Sequence, residues 1–238
     1  MLNVEENNEK DFSHFTITQQ LLLLLASVPE KNESLLYKER KKFAIIGAIL
    51  ADTIRMKRAE LVQGELMLKN ISETNFKYIN LFINNMVLIN NKNGLSDLIY
   101  RYQYDAGDLE DMVLDELLQD GVLIEKKGRI PFLSPKKLCI KEPELCNQLI
   151  NRVQKAFLQE SEPDIDMLYI LAILHAIQVL QRFIKTESEY NEKIIQVEEL
   201  IEKNIDVKMI HEAIKSQPEP DFSMIYYMSP MFLNGGLG

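Results

Sequence analysis

Four cations fall within five residues at Lys38, Arg40, Lys41 and Lys42, immediately after Tyr37. Such a run can hold an anion: ammonium groups bind phosphate as point charges, and a guanidinium binds it through a fixed fork of donors. The four stand where a helical pattern begins, the positive end of a helix, where the macrodipole favours acids. That placement predicts a surface that expects an anion. The competing use is a solvated helix start whose cations pair with Glu30, Glu33 or Glu39. A second concentration, Lys126, Lys127, Arg129, Lys136 and Lys137, surrounds the apolar run Ile130, Pro131, Phe132 and Leu133. Cations around a greasy turn suit an interfacial anchor. The same run could instead cover the core or pair two copies of the chain.

Other chemistries find little support. The three histidines, His14, His175 and His211, are far apart in sequence. His175 lies in the most apolar stretch of the chain, where a hydrogen-bonded core imidazole is expected rather than a catalytic one. The sequence has no Gly-rich phosphate loop, nucleophile elbow or H-E-x-x-H motif, and its carboxylates form no recognisable acid–base pair. Cys139 and Cys146, with no histidine near them, match neither a zinc site nor a disulfide framework, which points to a reducing compartment. The expectation is a protein that is not an enzyme and takes no metal or cofactor.

With 238 residues, 46% hydrophobic and 26% charged, the chain suits one globular domain. A net charge of -9 argues against nucleic-acid binding through the whole surface, so an anionic partner would need a local basic patch. No apolar run reaches the length of a bilayer span, and the acidic, polar start is unlike a secretory or mitochondrial signal. The expected location is cytoplasmic, with the option of a peripheral place on the cytosolic face of a membrane.

The elements that must position these residues read as mainly helical. Residues 1–14 read as a disordered leader, 15–217 as one domain and 218–238 as a tail. The tail's methionines and aromatics suit a strap over the body more than a ligand for a partner. Thr18 is the expected N-cap of a first helix carrying Leu21 to Leu25. Residues 35–58 form the central helix, with Phe43 to Ala51 apolar on every face and therefore surrounded by other helices. A short hairpin is expected at 59–68 around Gln63-Gly64. Amphipathic helices follow at 73–90, 95–104 and 108–119, the last stopped by Gly121. A second hairpin is expected at 122–133, turning at Lys127-Gly128. Helices at 144–160, 165–185, 188–203 and 206–216 complete a buried core ringed by amphipathic helices. Helix 108–119 and the hairpin after it also have the outline of a winged helix, but a groove-reading helix must be basic and this one is acidic.

The order of these segments resembles a known family. The run Thr16 to Leu25, TITQQLLLLL, is similar to the L-T-L-x-E-E-L-L-L-L opening of the Golgi phosphoprotein 3 family. GAILADTIRMKRAEL, from Gly47 to Leu61, resembles that family's next helix and G-R-L strand. LLQDGVL, from Leu117 to Leu123, resembles its L-V-E-K-G-V-L element, and LAILHAIQVL, from Leu171 to Leu180, its long core helix. The resemblance runs from about residue 15 to 215. It implies a peripheral membrane adaptor that binds phosphatidylinositol 4-phosphate and uses a hydrophobic hairpin to dock in lipid or self-associate, at the Golgi in a eukaryote. The family's headgroup pocket has a tryptophan and an arginine around the start of the central helix, and two arginines three apart before the Gly-Val-Leu turn. Those positions fall on Tyr37, Ile46, Gly107 and Glu110, so the arginines are missing. The family's T-G-D-x-L-L-D motif has no counterpart between residues 68 and 90, and the start of the chain lacks the arginine-bearing segment of eukaryotic members.

The site expected by that resemblance is therefore a rebuilt headgroup pocket of Tyr37, Lys38, Arg40, Lys41 and Lys42. Lys127, Arg129, Ile130, Pro131, Phe132 and Leu133 would supply the membrane or oligomer hairpin. The alternative is a divergent soluble member that has lost lipid binding and serves as a protein-interaction or homo-oligomeric scaffold. A basic face shared by residues 38–42 and the hairpin would favour the first.

Overall fold

The computed structural model describes residues 12–27, 35–89, 94–126 and 137–219. The described body begins with Phe12, buried with the Arg152 guanidinium 4.9 Å above its ring. Helix α1 (Ile17–Ser27) starts two residues earlier in the chain than Thr18 as N-cap would set it. Thr16 and Gln19 form a reciprocal capping box: the Gln19 N–H donates to Thr16 Oγ1 and the Thr16 N–H to Gln19 Oε1, both at 3.1 Å. Thr18 lies inside the helix and donates its hydroxyl to Asp52 Oδ2 at 2.5 Å. Asp52 also accepts from the Ile17 and Thr18 N–H groups at 2.7 and 3.0 Å. A carboxylate from a neighbouring helix thus satisfies donors that the start of α1 leaves open.

That neighbour is α2 (Leu35–Arg55), and Ala44 to Ile46 and Ala48 to Ala51 are all buried on it. The prediction of a helix enclosed on every face holds. Two elements close over its middle: α7 (Ile165–Ala176), buried from Met167 to Leu174, and α9 (Ile205–Lys215). At Gly47 the Ile214 side chain of α9 packs so close to the α2 backbone that a Cβ would press into its Cδ1. Around this centre stand α3 (Lys77–Ile89), α4 (Leu95–Tyr102), α5 (Ala106–Gln119), α6 (Pro143–Phe157) and α8 (Glu187–Lys203). The fold is mainly α in one domain, with two small antiparallel hairpins among the described residues.

The first hairpin, β1 (Ala59–Val62) with β2 (Glu65–Leu68), turns at Gln63 and Gly64, both at positive φ (52° and 89°) as a two-residue hairpin turn of this hand requires. The second corrects the sequence reading. β3 (Leu123–Lys126) pairs not with Ile130–Leu133 but with β4 (Lys137–Ile140), in register from Leu123↔Ile140 to Lys126↔Lys137. Pro131 and Pro135 lack the N–H that a ladder needs, whereas residues 137–140 can pair throughout. The expected helix 165–185 also ends early. Gln178 takes a left-handed φ of 59°, the Val179 N–H returns to Leu174 O, and a 3-10 turn follows at Leu180–Phe183.

Candidate anion-binding site

Lys38, Lys41, Lys42 and Ile45 recur at intervals of three and four and so share one face of α2. That face looks onto the start of α5. Together Lys38, Lys41, Lys42, Ile45, Ala106, Gly107 and Glu110 enclose a cavity of about 260 Å3. Ala106 and Gly107 are the first residues of α5, whose cap residue Asp105 makes no side-chain capping bond. The Ala106 N–H is already donated to Gln103 O at 3.4 Å, so it is the Gly107 end of this first turn, with its positive dipole end, that borders the same space as the three lysines. No side chain fills the space at Gly107, where an added Cβ would meet nothing within 4 Å.

Carboxylates temper this charge. Lys41 Nζ lies 2.6 Å from Glu110 Oε1, and Lys42 Nζ is held by both oxygens of Glu39 at 2.8 Å. All four groups are partly solvated, so each pair contributes at most about 1 kcal/mol and an incoming anion could exchange with it. Gly107 and Glu110 do line the cavity, with the cations supplied by α2 in place of α5, while Ile46 is fully buried in the core.

Two of the expected headgroup residues stand elsewhere. Arg40 points to another side of α2, where it bonds Glu219 at 2.7 Å and borders a cleft with Phe43 and Lys215. Tyr37 is buried beneath Arg182, whose guanidinium carbon is 5.2 Å from the ring centroid. The sequence reading missed Arg182, since nothing in the chain signals that a residue beyond α7 returns to the start of α2. It also missed Tyr104, exposed just ahead of α5, and Tyr100 one helical turn earlier, although exposed tyrosines are the residues an interface would favour.

Lys127, Arg129, Ile130, Pro131, Phe132 and Leu133 lie outside the described residues. β3 and β4 are described. Leu123, Leu138, Cys139 and Ile140 line a cleft that also contains Lys41 and Glu110. The hairpin stem and the basic cavity consequently meet on one side of the body.

His175 and His211 are brought together although 36 residues separate them. Their rings stack at 5.1 Å with 3.1 Å between His211 Nε2 and His175 Nδ1. Burial lowers both pKa values, that of His211 to about 4 with a further push from His175. The expected hydrogen-bonded core histidine at 175 is what the fold contains. Among the described residues no group of three or more His, Cys, Asp or Glu side chains could hold a metal ion, and no helix is long and apolar enough to cross a membrane.

A helical domain with a lysine-lined cavity at one end of its central helix is the class these features define. The family model of Golgi phosphoprotein 3 (GPP34) matches residues 17–217, and the chain belongs to that family. No curated protein matches the chain closely enough to refine the assignment.

Proposed function

We propose that the chain is a non-enzymatic peripheral membrane adaptor that binds an anionic phospholipid headgroup, phosphatidylinositol 4-phosphate being the ligand family membership suggests. The observation that carries this reading is the cavity of Lys38, Lys41 and Lys42 against Gly107 at the start of α5. A monoesterified phosphate there would accept from the ammonium groups, beside the positive end of the α5 dipole. Tyr100 and Tyr104, both exposed, would suit the headgroup level, and the β3–β4 stem, which shares the Lys41–Glu110 pair with the cavity, would face the membrane with it. The protein would then work on the cytosolic face of a membrane.

One observation favours the scaffold reading instead. Arg40, Lys41 and Lys42 each have a carboxylate partner, as a solvated protein-binding face would. Vesicle sedimentation separates the two. Each lysine at an anionic surface contributes about 1 kcal/mol, so Lys38→Ala with Lys42→Ala should weaken capture by vesicles carrying phosphatidylinositol 4-phosphate about thirtyfold. Absence of capture by the unaltered chain would leave the scaffold.

A further inference from the structure

A cleft of about 540 Å3 opens between α1, α5, α6 and the β3–β4 stem. Its wall is aliphatic, with Leu22, Leu23, Leu114, Leu117, Leu138 and Ile150 the principal surfaces. The size lies within the range of roughly 300–1,000 Å3 in which proteins enclose small molecules. The Lys41–Glu110 pair belongs to this cleft and to the basic cavity alike, so one ion pair is the wall between an apolar space and a cationic one. An amphiphile has that same division, a hydrocarbon chain joined to an anion. An inserted peptide strand suits the cleft less well. Its backbone donors and acceptors would need partners, and apart from the ion pair the polar side chains on the wall are few, Ser27 and Asn147 among them.

We propose that this cleft takes one fatty-acyl chain of the anionic lipid whose headgroup enters the basic cavity, with Lys41 turning from Glu110 toward the phosphate as the lipid seats. The inference rests on the headgroup reading and extends it: the protein would hold part of its lipid out of the bilayer, in addition to touching the surface. Exchange of Lys41 between two oxygen anions conserves its hydrogen bond, and the chain replaces water against leucine and isoleucine, which is favourable in proportion to the area covered.

The two cysteines of the chain, Cys139 and Cys146, both line this cleft, so thiol chemistry reports on it directly. Cys139 is half-buried. Cys146 is buried, with its thiol pKa raised by that burial, and will react more slowly. The test measures N-ethylmaleimide addition to the full chain by intact mass, with dodecyl phosphate present below its micellar concentration. At ten times its dissociation constant the amphiphile should slow labelling of Cys139 about tenfold, as occupancy by mass action requires. Inorganic phosphate should give no protection. Ala26→Trp, a change at an exposed position on the rim, should remove protection while leaving the helical circular dichroism unchanged. Lys38→Ala with Lys42→Ala should weaken protection.

Equal protection by a neutral dodecyl maltoside, or protection indifferent to the lysine changes, would overturn the joint site. Vesicle sedimentation reads the headgroup separately. Loss of dodecyl phosphate protection with vesicle capture retained would overturn the chain site alone, and loss of both would remove the headgroup reading with it.

Discussion

Glu110 sets the strength of the basic cavity. Its carboxylate holds Lys41 at 2.6 Å. Glu110→Gln removes the charge and keeps the shape, so anionic vesicles should bind more tightly, by up to about fivefold for a partly exposed pair worth at most 1 kcal/mol. Thermal stability should hardly move. A drop in vesicle binding would show that Glu110 organises the site rather than restraining it. The histidine pair gives a prediction for pH. The folded pKa of His211 is about 4, below the ordinary 6.5, so the native state excludes a proton that the unfolded chain accepts. Its contribution is complete above about pH 6.5 and is lost as pH falls through 4, on the order of 1–2 kcal/mol after allowance for solvent screening. His211→Gln should flatten that part of the stability profile in denaturant titrations. An unchanged slope would remove the pair from the acid response. Neither Lys41–Glu110 nor His175–His211 was legible in the sequence, because each joins two helices whose approach only the packed core determines.

Elements were legible where local pattern and tertiary demand agree. The all-apolar centre of α2 and the three- and four-residue spacing of α5 each specify a helix without outside help. Gln63-Gly64 marks its turn because few residue types accept positive φ. The reading erred where apolar residues run past a boundary. Ile177, Val179 and Leu180 continue the hydrophobic run of α7, yet the chain turns at Gln178 to bury them in a different direction. The β3 partner was misplaced because Ile130, Phe132 and Leu133 look more strand-like than Lys137 to Ile140, although only the latter stretch is free of proline. Gly47 offers a test of the core arrangement. Gly47→Ala gains about 1 kcal/mol of helix propensity against a displaced Ile214 side chain and should be nearly neutral. Gly47→Leu should force α2 and α9 apart and cost about 2–3 kcal/mol, read as a fall in melting temperature. A melting temperature unchanged in Gly47→Leu would mean that the two helices are not in close contact there.

At the scale of the whole molecule, the basic cavity and the hairpin stem meet at the Lys41–Glu110 pair near the start of α2, the shared side that the sequence reading set as the mark of lipid binding. The acidic character of α5 and the absence of the family arginines argued against a pocket there. What the sequence could not convey is that lysines one helical turn apart on α2 face the start of α5 and supply its missing cations. Arg40, adjacent in sequence to Lys41, lies outside the cavity because it stands two residue steps from both Lys38 and Lys42, a rotation of about 200° that carries it to the opposite side of the helix. The acidic net charge of the chain makes this local arrangement testable, since non-specific attraction to an anionic surface is weak. The decisive measurement is sedimentation of the full chain with vesicles at about 150 mM salt, where long-range attraction is screened. Neutral, phosphatidylserine-containing and phosphatidylinositol 4-phosphate-containing vesicles are compared, each with the unaltered chain and with Lys38→Ala, Lys42→Ala. The account predicts preferential capture by the phosphoinositide vesicles and its loss in the double variant. Equal capture by both anionic vesicles, or capture indifferent to the two lysines, would contradict it.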